Sequence, residues 1–191
     1  MYKYLMFLLC LSLFACAESV ENGGVVDAGQ YIANNNSAIL DHQCQPIITQ
    51  YQELLKGLSS RDTAYIANTS NLIIHLNDSL ASLKLVSDSN LKKIWVDGLV
   101  NMNAELVGVL AANTIGDDKE LNMSVHMTGI QLLSLLGQIG YKEHTIYVFN
   151  VTDSKSEDGY TWLGLQKITK DPFHSNNRKE MSAVQVLQEA K

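Results

Sequence analysis

The sequence predicts a mainly α protein, an antiparallel four-helix bundle with a C-terminal β-hairpin and short helix, and three observations predict it. The chain has only two prolines, Pro46 and Pro172, so the long stretch between them holds no obligate helix breaker. Within that stretch apolar side chains recur at spacings of three and four in four successive runs, separated by clusters of Ser, Asp, Asn and Gly. Beyond Gly140 the pattern changes to β-branched and aromatic residues, as a strand requires.

Pro46 suits the first turn of a helix, where its missing N–H costs nothing, and Ile47, Ile48, Tyr51, Leu54, Leu55 and Leu58 follow as one stripe. Ser59 and Ser60 can cap a second helix with Ile66, Thr69, Ile73, Leu76, Leu80 and Leu83 on its seam. Ser87-Asp88-Ser89-Asn90 reads as turn and cap before a third helix marked by Leu91, Trp95, Leu99, Met102, Leu106 and Val109, ending near Asn113. A turn around Gly116 leads to the fourth, with Leu121, Val125, Thr128, Leu132, Leu135 and Ile139, and Gly140 permits a left-handed stop. Connections this short make neighbouring helices antiparallel. Thr145 to Phe149 and Tyr160 to Leu163 read as a hairpin joined through Asp153 to Gly159, and Arg178 to Ala190, with Met181, Val184 and Leu187 on one face, as the last short helix.

The N-terminus predicts export. Lys3 precedes an apolar run from Tyr4 to Ala15, the order of a secretory signal and too short for a membrane span, so residues 1–15 read as a signal peptide. Leu13-Phe14-Ala15-Cys16 resembles a lipobox, which makes Cys16 the lipid attachment and the product a membrane-anchored periplasmic lipoprotein. The competing cut after Ala15-Cys16-Ala17 gives a secreted soluble protein. Residues 16–44, with Gly23, Gly24, Gly29 and the Asn34 to Asn36 run, suit a hydrated tether, which leaves 45–191 for the bundle. The formal charge of −6, or −7 once Lys3 is lost, offers no basic stripe and excludes nucleic acid as a partner. Of three cysteines, Cys10 lies in the signal and Cys16 at the anchor, so Cys44 is a free thiol able to pair only with another chain.

Three groups of residues could carry chemistry. Met123, His126 and Met127 share one helix face and offer two thioethers and an imidazole to a soft metal ion, although Met and His beside a seam also serve as gap-fillers. His144 and His174 flank the hairpin and could approach Met181. His42 and Cys44 lie two apart before the first helix, short of the ligands a metal cage needs, and His75 reads as a core histidine. No Gly-x-Ser-x-Gly, His-Glu-x-x-His or phosphate-binding glycine motif occurs, and Asp117-Asp118 and Glu157-Asp158 read as solvated turn residues, so catalysis is not expected. The Asn-x-Ser/Thr triplets at Asn35, Asn68, Asn77, Asn122 and Asn150 are what an Asn-rich chain produces by chance.

Ile48 to Leu55, Leu58-Ser59-Ser60-Arg61-Asp62, then Tyr160-Thr161-Trp162-Leu163, Lys167-Ile168, Lys170-Asp171-Pro172-Phe173 and Met181 occur in an order that resembles the family known as domain of unknown function 3347. The resemblance covers about residues 46 to 190 and implies an exported bacterial domain associated with periplasmic copper efflux, with copper as the implied cofactor. Many members of that family carry Cys-Pro-Met upstream of the Trp segment and a Cys after the downstream Met. Here Phe149 to Asp153 and Ser182-Ala183-Val184 stand instead, so both thiols, the soft ligands that select Cu(I), are missing. The expected function is therefore a non-enzymatic member of this family with metal binding weak or lost. The alternative is an interaction or scaffold module that docks an unidentified envelope protein.

Overall fold

The computed structural model describes residues 38–85, 87–152, 159–174 and 180–187. Cys16, both expected cleavage sites and the expected signal peptide lie outside them. Four helices come first: α1 Ala38–Ser60, α2 Thr63–Ser82, α3 Ser89–Ile115 and α4 Asp118–Ile139. Each helix packs most extensively on its neighbour in the chain, and the connections of two to six residues force antiparallel directions. The mainly α bundle with C-terminal strands is thus the observed fold.

Local chemistry explains the helix boundaries. Asp62, Asp88 and Asp117 are the N-caps of α2, α3 and α4, their carboxylates accepting from Tyr65, Leu91 and Glu120 N–H groups. Gly116 and Gly140 close α3 and α4 in the left-handed region, at φ +74° and +66°. The start of α1 corrects the expected boundary at residue 45: the helix begins at Ala38, and Pro46 lies inside it. Leu40 and Cys44, both fully buried, extend the apolar stripe two turns upstream of Ile47. Asp41 accepts from the Lys142 N–H at 3.2 Å, and the Gln45 side chain bonds the Tyr141 hydroxyl, so the start of α1 is tied to the end of α4. These contacts hold a helix that Pro46 weakens by removing an N–H.

The core runs through all four helices and into the strands, with Trp95, Tyr51, Phe149, Trp162 and Phe173 at 0–1 % exposure. The Trp95 indole donates to the Leu80 carbonyl at 3.3 Å. Between α2 and α3 a polar ladder runs from Asn77, fully buried, to Asn103 and on to Asp78, each step 2.8 Å. His75, by contrast, is exposed rather than in the core.

The strands are β1 Tyr147–Thr152, β2 Gly159–Gly164, β3 Ile168–Lys170, β4 Glu180–Ser182 and β5 Gln185–Val186. β1 and β2 form the expected antiparallel hairpin, with Phe149 opposite Trp162; β5 adds to the other side of β1, and β3 pairs with β4. The expected final helix is corrected here, because the described residues 180–187 are strand and turn. Three apolar residues at spacing three are weak evidence for a helix, and this backbone finds partners elsewhere: Ala183, Val184 and Leu187 N–H groups donate to Lys167, Val148 and Ile146 carbonyls. β2 lies against α4 more extensively than α1 does, so the sheet closes the bundle where its first and last helices barely meet.

Candidate functional site

The joint between α4 and the sheet is built from β2 and the turn after β3. Tyr160 stacks on Phe173 with ring centroids 4.7 Å apart, Trp162 stacks on Phe149 at 5.3 Å, and Phe173 meets Trp162 edge-on at 5.8 Å. Asp171, 4 % exposed, shapes the turn by accepting from the Phe173 N–H at 2.8 Å and from the His174 ring at 2.7 Å. Arg61, itself at positive φ, reaches across to the Phe173 carbonyl at 3.2 Å and to Asp118 and Asn122 of α4. One guanidinium thus links the α1–α2 turn, the start of α4 and the aromatic cluster.

His126 is the matching contact from α4. The Thr161 N–H donates to its Nδ1 at 2.8 Å, and the Tyr160 ring lies edge-on at 6.1 Å. Nδ1 is therefore the acceptor, which assigns the proton of the neutral ring to Nε2. Burial lowers the pKa of this imidazole below the ordinary 6.5, since charge there is poorly solvated; the Thr161 carbonyl, 3.3 Å from the same Nδ1, opposes the shift without cancelling it. A folded pKa below the unfolded one means that the neutral ring contributes stability fully above about pH 6.5 and loses it as pH falls toward the folded value. The thermal midpoint is expected to drop between pH 7 and pH 5. His126→Gln, which retains an acceptor but cannot titrate, is expected to flatten that drop; an unchanged profile would place the acid sensitivity elsewhere.

Of the other candidate ligands, His174 flanks the same Tyr160 ring as His126. Met123 and Met127 are half-buried beside His126 on α4, and Met181 is half-buried on β4, opposite Thr169. His144 is exposed, its ring against the Glu143 carbonyl, while His174 is occupied by Asp171 and lies 6.0 Å from the Tyr160 ring. No three His, Cys, Asp or Glu side chains gather at metal-binding distance among the described residues. Cys44 is free but fully buried, and burial raises its thiol pKa far above the usual range, so the folded chain does not offer it to a second chain.

A cleft of about 380 Å³ opens between α1 and the β2–β3 segment. Gln52, Leu55, Lys56 and Ser59 form one wall, and Leu165, Gln166, Thr169 and Lys170 face them, with Trp162, Gly164 and Pro172 completing the lining. Gln52 fixes the two walls by donating to the Leu163 carbonyl at 2.8 Å. Two lysines and no carboxylate line this cleft, although the chain as a whole is acidic. Lys56 shares its charge with Glu53, which also accepts from Tyr65, whereas Trp162, 1 % exposed, has an indole N–H with no acceptor among the described residues. Leaving such a donor unpaired costs about 1–3 kcal/mol. In the sequence Trp162 and Lys170 stand out only as parts of a motif; the signal that could have found the cleft is a Trp strand followed by a Lys-Asp-Pro turn. Comparison with protein-family models, curated proteins and solved structures finds no match for this chain.

Proposed function

We propose that this chain is a non-enzymatic, exported binding module that docks an acidic segment of an envelope partner in the α1–β2–β3 cleft. The observation that carries the proposal is the cleft itself, with a cationic rim from Lys56 and Lys170 and the unpartnered indole of Trp162 in its lining. The signal-like N-terminus and Cys16 support an anchored position in the periplasm, and the resemblance of residues 46 to 190 to domain of unknown function 3347 supports the same compartment. Between the two expected functions, these residues favour the interaction module over copper handling. None of the candidate metal ligands lines the cleft, and His126 and His174 already serve Thr161 and Asp171.

The two tryptophans make a built-in test. Trp95 donates to Leu80 and is the internal control, while Trp162 lines the cleft. On titration with a Glu-rich hexapeptide, the Trp162 indole resonance in a ¹H–¹⁵N spectrum is expected to move and that of Trp95 to stay. The Lys56→Gln, Lys170→Gln double variant is expected to weaken the response at least tenfold. Two still resonances would sink the proposal, as would stoichiometric Cu(I) retention against a chelator that survives Cys44→Ser, which would return the function to metal handling.

A further inference from the structure

Helices α1, α3 and α4 stop in a similar way, but α1 does so on a residue that the stop disfavours. After α1 the Arg61 N–H donates to the Leu58 carbonyl and the Asp62 N–H to the Gly57 carbonyl, both at 3.1 Å, a pairing that holds position 61 in the left-handed region. After α4 the same two bonds run from Gly140 to Gly137 and from Tyr141 to Leu136. Gly116 and Gly140 fill the left-handed position after α3 and α4, whereas Arg61 fills it after α1 at φ +55°. Among the described residues no other side chain takes a positive φ. Glycine adopts that region freely and an arginine does not, so the strain points to a use for the side chain.

That use lies across the cleft. The Arg61 guanidinium donates to the Phe173 carbonyl at 3.2 Å, and to Asp118 and Asn122 of α4 at 3.3 and 3.4 Å. Nearer the middle of α1, Gln52 donates to the Leu163 carbonyl at 2.8 Å. These two ties are roughly 13 Å apart along α1, and Leu55, Lys56 and Ser59 of the cleft wall lie between them. Phe173 directly follows Pro172, which lines the cleft with Lys170. We infer that Arg61 is a positioning residue for the cleft: by tying the α1–α2 turn to the Phe173 carbonyl it sets the gap between the α1 wall and the Lys170-Asp171-Pro172 turn. The inference rests on the reading of this cleft as the docking site and adds the residue that fixes its width. Lysine could not replace it, since one ammonium on a flexible stem does not reproduce a planar fork held against three acceptors.

The two indole resonances test this with and without ligand. Phe173 meets Trp162 edge-on, so in the ligand-free protein Arg61→Gly is expected to move the Trp162 resonance and leave that of Trp95 in place. The thermal midpoint of Arg61→Gly is expected to stay nearly unchanged, because relief of the left-handed side chain offsets the lost ties, while Arg61→Lys keeps the strain, loses the fork and melts lower. Both variants are expected to bind the Glu-rich hexapeptide about tenfold more weakly than the wild type. A Trp162 resonance unmoved by Arg61→Gly would overturn the inference, and so would full affinity in Arg61→Lys, which would reduce the residue to its charge. A steep fall in the Arg61→Gly midpoint would make the arginine a support of the whole fold, equally against it. A wild type that ignores the hexapeptide while Arg61→Gly still moves Trp162 would sink the docking reading alone and support Arg61 as the residue that sets the gap.

Discussion

Truncating Phe149 to alanine is expected to cost about 3–5 kcal/mol, the range for removing a fully buried aromatic ring. Phe149 is 0 % exposed, stacks on Trp162 at an interplanar angle of 15°, and abuts Gly164, where an added Cβ would come within 2.9 Å of its ring. The void could not be refilled cheaply, since the rings beyond it are fixed in turn by Phe173 and the Asp171 turn. Against a total stability of about 5–15 kcal/mol for a domain, the loss should be plain in urea, with the midpoint falling and the slope unchanged. Phe149→Leu should cost less than half as much. A loss below 1 kcal/mol for alanine would mean that the sheet is an appendage and not part of the bundle's core.

The second large effect lies where α4 crosses Tyr51. A Cβ built on Gly129 would sit 2.4 Å from the Tyr51 hydroxyl, 3.2 Å from its Cζ and 3.4 Å from the Thr161 carbonyl. Gly129 is therefore glycine because a phenol passes over the helix backbone there, beneath β2. Tyr51 is fully buried, so Gly129→Ala is expected to cost about 2–3 kcal/mol by overpacking despite its better helix propensity. The Tyr51 hydroxyl makes no well-formed hydrogen bond among the described residues, although the Leu163 carbonyl is near, and burial raises its pKa. Tyr51→Phe should consequently be neutral or stabilising, because it removes a buried group that gains little. In that background Gly129→Ala should cost at least 1 kcal/mol less, and a double-mutant cycle measures the difference. Simple additivity would show that the hydroxyl is not what requires the glycine.

The helices were legible where signals agreed: apolar spacing with no interior proline in α2, α3 and α4, and a glycine stop for α3 and α4. Where one signal pointed the other way, the reading failed. Pro46 suggested a beginning, yet Leu40, Asp41, Cys44 and Gln45 supply tertiary contacts that carry α1 upstream through it. The tail from 180 to 187 was misread because its conformation is decided by carbonyls of Ile146, Val148 and Lys167, which no local pattern reveals. The site was still less legible. His126 stands out on its helix face, but its partner is the backbone N–H of Thr161, thirty-five residues away. The cleft depends on α1 meeting β2 and β3, so the proximity of Lys56 and Lys170 is a product of topology.

The closure of the bundle by β2 also imposes an order of assembly. The helices are joined by links of only a few residues, so each can find its neighbour as soon as both exist. Gln52 and Leu163 are 111 positions apart and must close a loop spanning most of the domain before their bond gives any return. The face of α1 bearing Tyr51 and Gln52 therefore stays wet and adhesive until the strand arrives. For a chain that emerges N-terminus first, that interval is when it most needs shielding from its neighbours.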